Sequence, residues 1–229
     1  MKGKSHFTIY LFRLLPVLLC ILAAACNDDD GYHYPSVKLE FLTAQADGNG
    51  NIKSILTDEG ETFTVVENAS DTRLNAHASA RIVANYGPAT TSDNASGVKL
   101  YASLIAISPA PKPESEFKDG VKNDPADVTS IWMGLDYLNI ILDIKAQNGK
   151  HAFHFIEDEV GTDAETGRRF VHVRLYHSTD DVQAYSRRAY LSLPLRQYVE
   201  DGMEKMDVRF SLMTYSGEEK SYEFEYNPK

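Results

Sequence analysis

Asp136-Tyr-Leu-Asn-Ile-Ile-Leu-Asp-Ile-Lys145 decides the fold. Leu138, Ile140, Leu142 and Ile144 occupy alternate positions, with Tyr137, Asn139, Ile141, Asp143 and Lys145 between them. Side chains in a strand point to opposite faces with period two, so the first set forms one apolar face. That face is the core candidate.

Working outward, the same punctuation recurs on both sides. Ser130–Met133 leads through Gly134 into the quoted strand. His151–Glu157 and Phe170–His177 flank a polar loop containing Gly161 and Gly167. Arg187–Leu195 puts Ala189, Leu191 and Leu193 on one face, and Pro194 confines it to an edge or terminus. Leu195–Glu204 reads as one short helical turn. Asp207–Tyr215 and Ser221–Tyr226 form a closing hairpin around Ser216-Gly-Glu-Glu219. About seven strands separated by regular turns predict an antiparallel β-sandwich over residues 113–229.

Upstream, the pattern is also β. Val37, Leu39 and Phe41 share one face, with Lys38 and Glu40 on the other. Asp47-Gly-Asn-Gly-Asn51 and Asp58-Glu-Gly60 are turn signals on either side of Ile52–Thr57. Glu61–Glu67, Ala80–Tyr86 and Val98–Ser108 complete five short strands, and this spacing predicts a small barrel over residues 36–112. Pro109-Ala-Pro-Lys-Pro113 is a stiff extended stretch, and Glu114–Asp127 reads as a surface connection. The fold class is all-β throughout, and no fixed-period repeat appears.

The first 25 residues are of another kind. Lys2, Lys4 and Arg13 precede an apolar run from Leu14 to Ala25, broken by Pro16. The run falls short of the roughly 20 residues of a membrane span and has the layout of a signal peptide. Cys26 follows three alanines, as in a bacterial lipobox, which makes it the lipidation residue; Ala23 stands where that pattern usually has Leu. The alternative is an ordinary signal peptide cut near Ala25. Residues 26–35 form an acidic tether, in which Asn27-Asp28-Asp29-Asp30 resembles the acidic export signal of surface lipoproteins in Bacteroidetes-type cells. The expected address is the outer membrane, with surface exposure favoured over a periplasm-facing anchor.

Composition excludes several classes. Loss of the three leader cations, with no leader acid, takes the formal charge from −10 to −13. Such a surface repels phosphates, so nucleic acid is not an expected partner. The two cysteines are Cys20 and Cys26, which leaves the folded body without a disulfide, thiolate metal site or cysteine nucleophile. There is no Gly-x-Ser-x-Gly, phosphate loop or dinucleotide fingerprint, and no cofactor is implied.

The remaining constellations are weak. A hairpin centred near Asp163 would set His154 opposite His172, a metal pair if a carboxylate joined them, though Arg174 opposes it. The bland reading is a solvated strand face. The acids Glu157, Asp158 and Glu159, then Asp180 and Asp181, then Glu218 and Glu219, sit in loops and do not report a catalytic pair. Asp47-Gly-Asn-Gly-Asn51 resembles the start of a calcium loop, but its twelfth position is Asp58 in place of the usual Glu, so a hairpin turn is the better reading. Trp132, Tyr137, Tyr176, Tyr185 and Tyr190 could form an aromatic platform or simply pack a sandwich.

The order of these features resembles the NigD-like lipoproteins. The likeness rests on Cys26-Asn-Asp-Asp-Asp-Gly-Tyr32, on the small barrel with its Ala80-Arg-Ile-Val-Ala-Asn-Tyr86 strand, and above all on Ile131-Trp-x-Gly-x-Asp-Tyr-Leu-Asn139. It implies an OB-fold domain before the sandwich, and it implies no catalytic residues. A bacteriocin-immunity role is implied by the resemblance alone. The expected function is a non-catalytic envelope lipoprotein that binds a protein, peptide or glycan. The alternative is a hydrolase of envelope or surface glycan using a carboxylate pair.

Overall fold

The computed structural model describes residues 38–228. The leader, Cys26, Asp28, Asp29 and Asp30 lie outside the described residues. Within them the secondary structure is β, apart from two single-turn 3-10 helices at Glu114–Glu116 and Arg196–Tyr198.

Strands β1 (Lys38–Ala46), β2 (Ile52–Leu56), β3 (Thr62–Asn68), β4 (Ser79–Thr90) and β5 (Ser96–Ile105) close into a barrel in the order β1-β2-β3-β5-β4. Only β3 and β5 run parallel; the other pairs are antiparallel. This is an OB-like arrangement, and closure leaves few strand edges open. Leu42, Ala44, Ile52, Ile55, Ile82 and Leu100 fill the interior. The face of β1 read from Leu39 and Phe41 is not the interior one: Leu39 is exposed, and Phe41 points outward with Val83 and Ala106. The strand carries apolar residues on both faces because it is covered on both, by the barrel core and by the second module.

That module has two sheets. β6 (Lys112–Pro113), β9 (His151–Thr162), β10 (Arg169–Thr179), β12 (Met206–Met213) and β13 (Glu219–Tyr226) form one, ordered β13-β12-β10-β9-β6. β7 (Asp127–Met133), β8 (Tyr137–Ala146) and β11 (Tyr185–Pro194) form the other, ordered β11-β8-β7. Leu138, Ile140, Leu142 and Ile144 face Phe155, Val171, Val173, Leu175, Phe210 and Leu212 across the core, as the alternation predicts. The connection after Pro113 does more than join the modules. Lys112 and Pro113 pair in parallel with Ile156 and Glu157, and Phe117 stacks on Tyr176 at 4.8 Å. Ile156, on the face of β9 that also carries His154, is therefore buried.

The barrel rests on the outer face of the three-stranded sheet. Phe41, Val83 and Ala106 pack against Ile141 and Tyr190, and Trp132 meets Phe41 edge-on at 5.5 Å. Beside this apolar contact lies a buried ionic one. Arg81 on β4 donates through Nη2 to Asp58 Oδ2 (3.1 Å) and Asn139 Oδ1 (2.9 Å), through Nη1 to Thr43 Oγ1 (3.2 Å) and through Nε to Ser192 Oγ (3.1 Å). Asn139 Nδ2 donates to Asp58 Oδ2 at 2.6 Å, and the Ser192 hydroxyl to Asn139 Oδ1 at 2.8 Å. The Tyr137 ring lies 4.1 Å from the guanidinium carbon. Burial pushes the Arg81 pKa down, and the Asp58 charge opposes that. Asp58 is delivered by the β2–β3 turn, where Gly60 takes a positive φ. Its carboxylate lies directly over Gly134, where a Cβ would come 2.4 Å from Oδ2.

Ile131-Trp-x-Gly-x-Asp-Tyr-Leu-Asn139 is thus the joint between modules. Arg81→Met leaves the Asp58 carboxylate without its cation in a mostly buried joint, and should cost about 3–5 kcal/mol in urea unfolding. Gly134→Ala should cost about 1–3 kcal/mol by displacing the Asp58 carboxylate. In an Asp58→Ala background most of that second cost should vanish, whereas full additivity in the double-mutant cycle would rule out this role for Gly134.

Candidate functional site

The proposed His154/His172 pair does not form. The turn runs from Asp163 to Arg168, with Asp163 at its start: Asp163 N donates to Arg168 O and its Oδ1 accepts the Glu165 and Thr166 amides. Both strands therefore extend further than the sequence reading allows, and the register moves. His154 falls opposite Tyr176 and His172 opposite Glu159. His172 Nδ1 lies 3.3 Å from Glu159 Oε2, while His154 packs edge-on against Phe117 at 5.4 Å, where burial lowers its pKa. Among the described residues, no group of three or more His, Cys, Asp or Glu could hold a metal.

A different pair meets instead. Thr179 lies opposite His151, and this brings His177 diagonally onto it. His151 Nδ1 and His177 Nε2 are 2.9 Å apart, with the rings stacked at 5.2 Å. His177 Nδ1 is 2.9 Å from the Asp124 carbonyl, which can only accept, so that nitrogen carries the proton. Nε2 of the neutral ring is then an acceptor, and His151 Nδ1 donates to it. His151 Nε2 faces Asp181 Oδ2 and Thr179 Oγ1, each at 3.4 Å. Burial alone would raise the Asp181 pKa, but the Gln147, Asn148 and Val182 amides that it accepts hold it far below the usual carboxylate range. The chain Asp181–His151–His177–Asp124 fastens three loops. His177 at its centre is buried.

Of the carboxylates read in loops, Glu157, Asp158 and Glu159 lie within β9 instead, because that strand runs on to Thr162. Asp158 takes a two-point contact from Arg174, Glu157 accepts the Tyr198 hydroxyl at 2.8 Å, and Asp180 accepts the Lys150 amide. Glu218 and Glu219 are exposed in the last hairpin. Asp47 accepts the Asn49 and Asn51 amides of its own turn, which lowers its pKa, so the calcium-like stretch is a hairpin turn. Side-chain donation from Thr91, Thr166 and Lys205 comes first in lowering Asp93, Asp163 and Glu225 respectively. These shifts favour carboxylates, whereas a glycosidase's general acid needs the opposite shift.

The aromatic residues are dispersed. Trp132, Tyr137 and Tyr190 belong to the joint, Tyr176 lies under Phe117 on the other sheet, and Tyr185 is exposed. Two concavities merit comparison. The larger, about 770 Å³, lies on the outer face of the five-stranded sheet. Its cations are neutralised in place, Arg168 by Asp207 and Glu225, Arg209 by Glu223. The second, about 370 Å³, lies where β5 meets β11 and is lined by Leu104, Ile105, Ile107, Phe153, Arg187 and Arg188. It is the better candidate binding site. Sequence pattern gave little sign of it beyond Arg187-Arg188, two adjacent cations in an acidic chain.

The histidine relay makes a direct prediction. Burial holds the His177 pKa below its ordinary value, so the unfolded chain takes up a proton first as pH falls. The stability this neutral ring contributes is present above about pH 6.5 and is lost as pH drops below that. Long-range proton–nitrogen correlation spectra should show a neutral, Nδ1-protonated His177 at pH 6; a ring already charged there would contradict the relay.

Comparison with known proteins places this geometry. The family model described as NigD-like C-terminal beta sandwich domain matches residues 108–226. The crystal structure of a NigD-like immunity protein from Bacteroides caccae is similar at 35% identity, covering 86% of this chain and 100% of that one, with a TM-score of 0.72. A protein of unknown function from Bacteroides vulgatus shares the fold at 21% identity, 83% and 91% coverage and a TM-score of 0.62. No functionally curated protein matches the chain. The barrel-on-sandwich architecture, the sandwich match and the full-length likeness agree: this chain belongs to the NigD-like family.

Proposed function

We propose that this protein is a non-catalytic lipoprotein of the cell envelope that works by binding a partner, with protein or peptide favoured over glycan. The observation that carries the reading is the contrast between the two concavities. The large polar one is neutralised by its own ion pairs, while the groove at β5 and β11 exposes aliphatic side chains beside two arginines. Exposed apolar surface of this kind is characteristic of interaction sites. Of the acids of the hydrolase reading, Asp158, Glu157 and Asp180 are engaged by a cation, a hydroxyl and an amide, and Glu218 and Glu219 are exposed in a hairpin, which supports binding over hydrolysis. The similar Bacteroides caccae protein is named an immunity protein, and in an immunity role the partner would be a peptide toxin.

In this reading Cys26 is lipidated at the head of the mature chain and Asp28, Asp29 and Asp30 direct it to the outer surface of the outer membrane. Residues 27–37 would then set the folded body at most about 35–40 Å from the lipid. Cys26→Ser should leave the precursor uncleaved by the lipoprotein peptidase and without acyl label; labelled, membrane-bound Cys26→Ser protein would refute the anchor. Affinity capture of the native lipoprotein from envelope extracts should recover a partner, and turnover on a glycan panel with no partner recovered would refute the binding reading.

A further inference from the structure

β11 is an edge strand, and only its second half is covered. Ile107 N donates to Tyr190 O, and Ser192 N donates to Ile107 O, each at 2.9 Å. Residues 190 and 192 therefore point their backbone groups away from β8. By the alternation of an antiparallel ladder, Ser186 and Arg188 point theirs the same way. No backbone group among the described residues meets them. The reason is a divergence. Leu104 and Ile105 stay paired to Val83 and Ile82 on β4, so the end of β5 parts from the start of β11. The wedge between them is the 370 Å³ groove.

Three properties of this wedge define its occupant. Its lining is mostly apolar, with Ile107, Ile144 and Ala189 beside the Phe153 ring, and its barrel-side wall carries Leu104 and Ile105, 43% and 54% exposed. Its open side offers free strand-edge donors and acceptors. Its rim carries Arg187 and Arg188, neither of which has an ion-pair partner among the described residues. Asp143 lies opposite Arg188 in register, but its neighbouring cation is Lys145, at 3.8 Å. Two unneutralised guanidinium groups on a chain of net charge −10 form a local exception to its field.

We infer that this groove accepts an extended, acidic segment of a partner protein, which adds as a strand beside Ser186–Arg188, buries aliphatic side chains against Ile107 and Leu104, and places carboxylates on Arg187 and Arg188. Backbone pairing supplies affinity in such strand addition, and alternate side chains supply selectivity. The inference rests on the binding reading above and specifies where and what the chain binds.

The test is to pan a phage library of random twelve-residue peptides on the full mature chain, against an Arg187→Glu/Arg188→Glu chain in parallel. Enriched peptides should combine Asp or Glu with Ile, Val or Leu, and should bind the double variant at least about tenfold more weakly. Bound peptide should slow amide exchange at Ser186 and Arg188. Ser186→Pro, which removes an edge donor without changing charge, should also weaken binding. The Asp181–His151–His177 spectral signature, unchanged in both variants, controls for folding. Absence of enrichment, enrichment of basic peptides, or equal binding by the double variant would overturn the inference. So would self-association lost in the double variant, or exchange protection of these amides in the free chain that disappears when residues 27–35 are deleted. A native partner captured equally by wild type and double variant would remove this groove while leaving the binding function standing.

Discussion

One buried guanidinium ties the two modules together. Arg81 comes from the barrel, and its guanidinium makes four hydrogen bonds, to Thr43 and Asp58 of the barrel and to Asn139 and Ser192 of the sandwich. A charge withdrawn from water is tolerated only when paired and fully hydrogen-bonded. That requirement constrains residues far apart in sequence. Asn139 must present its oxygen to Arg81 and its amide to Asp58, Tyr137 must cover the guanidinium face, and position 134 must have no side chain. Planar, multidentate geometry makes Lys a poor substitute at position 81. The network adds modest net stability compared with an apolar joint of equal volume, but it fixes how the barrel sits on the sheet.

That placement creates the groove. Phe41, Val83 and Ala106 pack on Ile141 and Tyr190, and this holds the end of β5 close to the middle of β11. Ile107 then covers β11 from Tyr190 onward, while Leu104 and Ile105 remain with the barrel. An open strand edge is ordinarily a hazard, managed by charge on the edge strand. Arg187 and Arg188 stand at that edge, and in the proposed reading the same two charges would select an acidic strand.

Among the described residues, the outer face of the five-stranded sheet carries paired charges. Arg168, Arg174 and Arg209 each face carboxylates on neighbouring strands, and His172 faces Glu159. Cross-strand pairing of this kind neutralises the wide faces of the five-stranded sheet. The covering segment around Phe117 removes another part of that face by stacking on Tyr176. On the proposed binding reading, a chain acidic overall and locally basic would repel most anionic surfaces and admit an acidic segment only at that groove.

Sequence by itself determined the all-β class, the core face of β8, the closing hairpin and the lipobox pattern, because each depends on local periodicity or on a short contiguous motif. It also marked Ile131–Asn139 as distinctive without saying why. Tertiary structure decided everything that depends on register or on contact between modules. An unseen extension of β9 and β10 moved His154 away from His172 and joined His151 to His177. Double coverage of β1 turned Phe41 away from the barrel core. Arg81, Asp58 and Asn139 are ordinary polar residues until folding brings their polar atoms within 3.1 Å of one another, pair by pair. Side-chain periodicity is a property of one strand and can be read along the chain; which strand faces which is set by the packing free energy of the whole fold, and no local pattern carries it.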